Sequence, residues 1–84
     1  MNYLKERTSL ARQRQANITQ LLTMHITSDP AYVGGRPRIV GSRITVKDIV
    51  GFVSLGQEEE QKFIEDHPYV TNDDVDACLI YHDS

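Results

Sequence analysis

The stretch Gly34-Gly35-Arg36-Pro37-Arg38-Ile39-Val40-Gly41-Ser42-Arg43-Ile44-Thr45-Val46 decides the fold, because it sets a turn, a strand and a helix start in immediate succession. Two adjacent glycines accept positive φ and Pro37 blocks helical continuation, so 34–37 reads as a tight turn. Arg38-Ile39-Val40 reads as a short strand ended by Gly41, whose partner can lie within the chain or across a dimer. Thr45 and Asp48 then stand three residues apart. The hydroxyl accepts an orphan amide hydrogen and the carboxylate sits at the positive end of the helix they open.

Downstream the same signals repeat. Val46 to Leu55 carries Ile49, Val50 and Val53 at helical spacing, with Val46 or Phe52 completing the apolar face, and Gly56 stands where a C-terminal glycine belongs. Glu58, Glu59 and Glu60 occupy the first turn of a second helix with Phe63 and Ile64 on its apolar side, and Pro68 closes it near Asp66. Thr71 and Asp74 open a third helix through Tyr81, whose inward face is Val75, Cys78 and Leu79 with Tyr81 or His82. Three short helices with compact turns follow the plan of a helix-turn-helix module over residues 25–84.

Upstream, Ser28-Asp29-Pro30 is a turn and Met24 to Thr27 a brief extended segment. Residues 3–23 hold no proline or glycine, and Tyr3, Leu4, Leu10, Ala11, Ile18, Leu21 and Leu22 fall on one stripe of a helix. The reading is a single amphipathic helix over residues 1–24, a docking or dimerisation element. Arg7 and Arg14 lie inside the stripe one heptad apart, so it is poorer than a coiled-coil seam.

Eighty-four residues, 39% apolar and 25% charged, suit one globular domain. With no long apolar run, no apolar leader and the single cysteine Cys78, a soluble, cytoplasmic chain is expected. The net charge of −3 conceals an asymmetry: residues 1–47 hold eight bases against two acids, giving +6, and residues 48–84 hold one base against ten acids, giving −9. A basic surface for phosphates or acidic proteins and an acidic surface for basic partners are both implied.

At Asp29-Pro30, the stretch from Gly34 to Val46, the aliphatic helix ending in Gly56, and Pro68 followed by Val70-Thr71 and Asp74-Val75, the chain resembles the bacterial domain-of-unknown-function family 433. The resemblance covers residues 26–81 and leaves the N-terminal segment outside. It implies a mainly α, homeodomain-like helical fold with a short β segment. It also implies an antitoxin-like role beside a PIN-like nuclease, as a homodimer or a hetero-oligomer with the toxin, and it transfers no catalytic residue.

Arg36, Arg38, Arg43 and Lys47 cluster around turns and a helix start, where they can meet DNA phosphates or stand as solvated charges. The third helix carries Asn72, Asp73, Asp74 and Asp76 on an expectedly exposed first turn that phosphates would repel, so any DNA contact should come from the basic half. Glu58–Glu60 with Glu65 and Asp66 can mimic nucleic acid for a basic nuclease surface or simply be solvated. Cys78 and His82 share a helix face but nothing completes a metal site, and no nucleophile motif or phosphate loop is present, so neither metal, cofactor nor enzymatic activity is expected. The expected function is neutralisation of a PIN-like nuclease, with Arg7, Arg12 and Arg14 pairing to its metal-site carboxylates, and repression of its own operon through operator DNA. A DNA-binding regulator without a toxin and a small dimeric adaptor are the alternatives.

Overall fold

The computed structural model describes residues 2–31 and 33–84. It is mainly helical: α1 (Tyr3–Arg14), α2 (Ile18–His25), β1 (Ile26–Thr27), a 3-10 turn at Val33–Gly35, β2 (Arg38–Ile39), α3 (Val46–Ser54), α4 (Gln57–Asp66) and α5 (Asn72–Asp83). The short strand pairs within the chain, β1 and β2 running antiparallel with Ile26 opposite Ile39 and Thr27 opposite Arg38.

The stretch from Gly34 to Val46 folds back on itself. Gly41 turns the chain at φ 82°, and the Ile39 amide then donates to Ile44 O at 2.8 Å while the Val46 amide donates to Pro37 O at 3.0 Å. The Ser42 hydroxyl donates to Ile39 O and accepts from the Ile44 amide, both at 3.1 Å, and Arg38 Nη1 donates to Ser42 O at 3.1 Å. This hook delivers Thr45 as the N-cap of α3. Thr45 and Asp48 form a reciprocal capping box with both bonds at 3.0 Å, and Thr71 and Asp74 repeat it at the start of α5 at 3.1 and 3.0 Å. Between α3 and α4 the turn passes through Gly56 at φ 123°.

The core lies on both sides of α5. Under α3 and α4 it gathers Ile39, Val46, Ile49, Val53, Phe63, Val70, Val75, Cys78 and Leu79. Under α1 and α2 it gathers Ala11, Leu21, Ala77 and Ile80. Every residue of α5 from Asp74 to Ile80 is therefore buried, where the sequence suggested a helix with one inward face. Asp74 and Asp76, expected on its exposed first turn, are 8% and 0% exposed.

The single N-terminal helix expected over residues 3–23 is instead two helices. The break falls at 15–17, where the Asn17 carboxamide caps α2 by accepting from the Gln20 amide at 3.0 Å. No proline or glycine forces it; breaking there lets α1 and α2 both lie against α5. Leu10, placed on the apolar stripe, is 47% exposed, and Arg7 is buried.

Candidate interaction surfaces

The arginines of α1 pair with carboxylates of α4 and α5, Arg7 from a buried position and Arg12 and Arg14 from exposed ones. Asp76 accepts four hydrogen bonds: Oδ1 from Arg7 Nη1 at 2.7 Å and Arg14 Nη2 at 2.8 Å, Oδ2 from Arg14 Nε at 2.7 Å and Gln15 Nε2 at 2.9 Å. Arg7 Nε donates to Glu60 Oε2 at 3.0 Å, and the Tyr3 hydroxyl donates to Glu60 Oε1 at 2.6 Å. At the rim, Arg12 Nη2 meets Asp83 Oδ2 at 3.1 Å and Gln15 Nε2 meets Asp73 Oδ1 at 2.9 Å. A buried carboxylate needs this saturation of its lone pairs, because an ion removed from water without partners is strongly destabilising.

The electrostatics follow. Burial acts to raise the Asp76 pKa, but the hydrogen bonds from Arg14, Gln15 and Arg7 and the Arg7 charge outweigh it and hold the group below its ordinary value. Burial, then the hydrogen bond to Glu60, pushes the Tyr3 phenol up to about 12.

Arg7, Arg12 and Arg14 were expected to reach the carboxylates of a partner; in the fold they bind carboxylates of their own chain. Arg7, 6% exposed, presents no face to an external protein. Part of the asymmetry between the basic first half and the acidic second half is thus satisfied internally, by folding one onto the other. The signal in the sequence was the presence of Arg7 and Arg14 inside an otherwise apolar stripe. Glu60, read as part of an exposed acidic run, is buried as the counter-ion of Arg7.

The basic cluster divides. Arg36 and Lys47 are exposed and share a shallow groove of about 470 Å³ with Pro37, Thr45, Val46, Tyr81 and His82. Arg38 is half-buried and holds the Ser42 turn, while Arg43 is exposed but does not line the groove.

Sequence reasoning missed an aromatic ladder at the opposite end of α3. Phe52 packs on Phe63 with ring centroids 4.7 Å apart, Phe63 stacks on His67 at 4.2 Å, and Tyr69 meets the His67 edge at 5.9 Å. Phe52, Leu55 and Tyr69 are 40%, 68% and 62% exposed. The spacing of three between Phe52 and Leu55 and the Pro68 turn beside Tyr69 were the available clues. Glu58 and Asp66, three positions from Leu55 and Tyr69 respectively, are exposed.

Cys78 is fully buried, and burial with the nearby Asp74 charge pushes its thiol up to about 12. Among the described residues no group of three His, Cys, Asp or Glu side chains is placed to hold a metal ion, and no helix is long and apolar enough to cross a membrane.

The family model DUF433, described as a protein of unknown function, matches residues 26–82, and the chain belongs to that family. The matched span holds Glu60, Asp73, Asp76 and Asp83's neighbour His82, whereas the α1 donors lie outside it. Neither a curated protein nor a solved structure matches the chain.

Proposed function

We propose that this DUF433 chain acts by binding, as the antitoxin-like partner of a PIN-like nuclease, and that the aromatic end of α3 and α4 is the surface it presents. The observation that carries this reading is the cluster of Phe52, Leu55 and Tyr69, three large apolar side chains exposed at one end of an 84-residue chain. Exposed apolar clusters rimmed by polar residues mark protein contacts, and large aromatic side chains are favoured anchors in them. The carboxylates of α4 beside the cluster suit a nuclease whose RNA-binding surface is basic, supplying negative charge where the substrate backbone would lie.

The burial of α5 bears on the alternative. A helix-turn-helix protein reads bases with an exposed third helix, and α5 is covered by α1 and α2 on one side and α3 on the other. A DNA-binding role is left to the exposed Arg36, Arg43 and Lys47, which can contact phosphates.

Co-expression with the product of the adjacent gene tests the reading. The native chain should co-purify with that product and suppress its ribonuclease activity. L55E, with a helical circular dichroism spectrum like that of the native chain, should lose both. Retention of the complex by L55E together with F52E would defeat it.

A further inference from the structure

α1 is held to the molecule in the way a basic ligand is held by an acidic receptor. Tyr3, Arg7, Arg12, Arg14 and Gln15 all donate to carboxylates of α4 and α5: Glu60, Asp73, Asp76 and Asp83. The apolar side chains of α1 contribute little to the buried clusters beyond Ala11, with Tyr3 and Leu4 packed at the edge. The connection to α2 is three residues long and contains neither proline nor glycine, and Ala16 and Asn17 in it are exposed. What keeps it bent is local: Gln15 is extended at φ −93°, ψ 120°, and the Asn17 side chain caps α2.

We propose that α1 exchanges between two copies of this chain, residues 3–25 straightening into one helix that places α1 of each copy on the carboxylates of the other. Straightening continues the helical hydrogen-bond ladder through 15–17, and over about 23 residues it gives a rod of roughly 34 Å, carrying α1 away from its own cradle. Emptying that cradle strands the buried Asp76, so the straight form requires a second α1 of the same charge pattern. Only another copy of this chain supplies Tyr3, Arg7, Arg12, Arg14 and Gln15 in the matching register. The assembly is two-fold symmetric and closed, each chain giving one helix and receiving one. It differs from the contact with a nuclease and uses none of the Phe52, Leu55 and Tyr69 surface.

Two variants tilt the equilibrium in opposite directions. N17A removes the cap that starts α2 and raises helix propensity at the bend; A16P forbids the continuous helix, and the extended Gln15 before it already has the conformation a residue preceding proline prefers. Light scattering after size exclusion, on samples concentrated and incubated warm, should show N17A shifted to twice the monomer mass and A16P at the monomer mass. Equal masses for the two variants, whether both monomeric or both dimeric, would overturn the proposal. A mixing experiment then identifies the exchanged element. In the N17A background, a chain with R12D and a chain with D83K each set like charges against one another at the rim of their own cradle, whereas exchange pairs residue 12 of each chain with an opposite charge at residue 83 of the other. The mixture should hold more dimer, in one-to-one composition, than either chain forms alone. A mixture whose mass profile is the sum of its parts would equally overturn it.

Discussion

Arg7 Nη1 donates to Asp76 Oδ1 at 2.7 Å, with the two side chains 5% and 0% exposed, so α1 is joined to α5 by a charge pair that solvent does not reach. Removing Arg7 takes one of the four donors from Asp76 and the Nε–H donor from Glu60, and a hydrogen bond to a charged group is worth about 1.5–3 kcal/mol. R7A should therefore lower the urea unfolding free energy by that order. R12A, whose partner Asp83 lies with it at the surface, should cost under about 1 kcal/mol. Comparable midpoints for the two variants would show that burial of the Arg7 pair does not anchor α1.

The same cluster sets a pH window. Asp76 titrates below its ordinary value in the folded chain, so the unfolded chain takes up the proton first. Its contribution is fully present above about pH 4 and is lost as pH falls through the folded pKa. Tyr3 has the opposite sign: its pKa is raised from 10.0 to about 12. Its contribution is present below about pH 10 and lost as pH climbs toward 12. Thermal midpoints plotted against pH should fall at both ends. Y3F should flatten the alkaline limb alone and D76N should flatten part of the acid limb from a lower plateau.

How much of this was legible in the sequence depends on the range of the interaction. The caps at Thr45 and Thr71, the turn at Gly41 and the ends of α3 and α4 were readable because each is fixed by residues within three or four positions. The pairing of Ile26 with Ile39 was left open, because a two-residue strand gives no sign of its partner. The roles of Arg7, Glu60 and Asp76 were not legible: their bonds span 53 and 69 positions, and a charged residue carries the same local signal whether it meets water or a buried counter-ion. The aromatic end was missed for a related reason, since Phe52 and Tyr69 are brought together only by the packing of α4.

The two capping boxes should separate by what else their acids hold. T45A and T71A each remove one acceptor at a helix start and should cost about 1 kcal/mol. Asp74 also lies 2.7 Å from His25 Nδ1, at the end of α2, so D74A loses the box and a tie between α2 and α5 together. Its loss should exceed that of T71A in chemical denaturation. Equality of the two would mean that the His25 contact adds nothing to stability.

Cys78 offers a reporter of the whole fold. The thiolate is the reactive form, and with the thiol pushed up to about 12 inside a fully buried site, little of it exists at pH 8 even before access is considered. It lies in the cluster beneath α3 and α4 rather than in the smaller one beneath α1 and α2. From α1 only Tyr3 and Leu4 reach that cluster, at its edge, so labelling should require α3 to part from α5. A thiol-reactive dye at pH 8 should label the native chain slowly, at a rate that rises with urea along the same curve as the loss of helical circular dichroism. N17A, in which α1 of a second copy takes the place of the native one, should label no faster than the native chain. Rapid labelling of N17A with its helical signal intact would show that the two clusters open together and that α1 is part of one cooperative core.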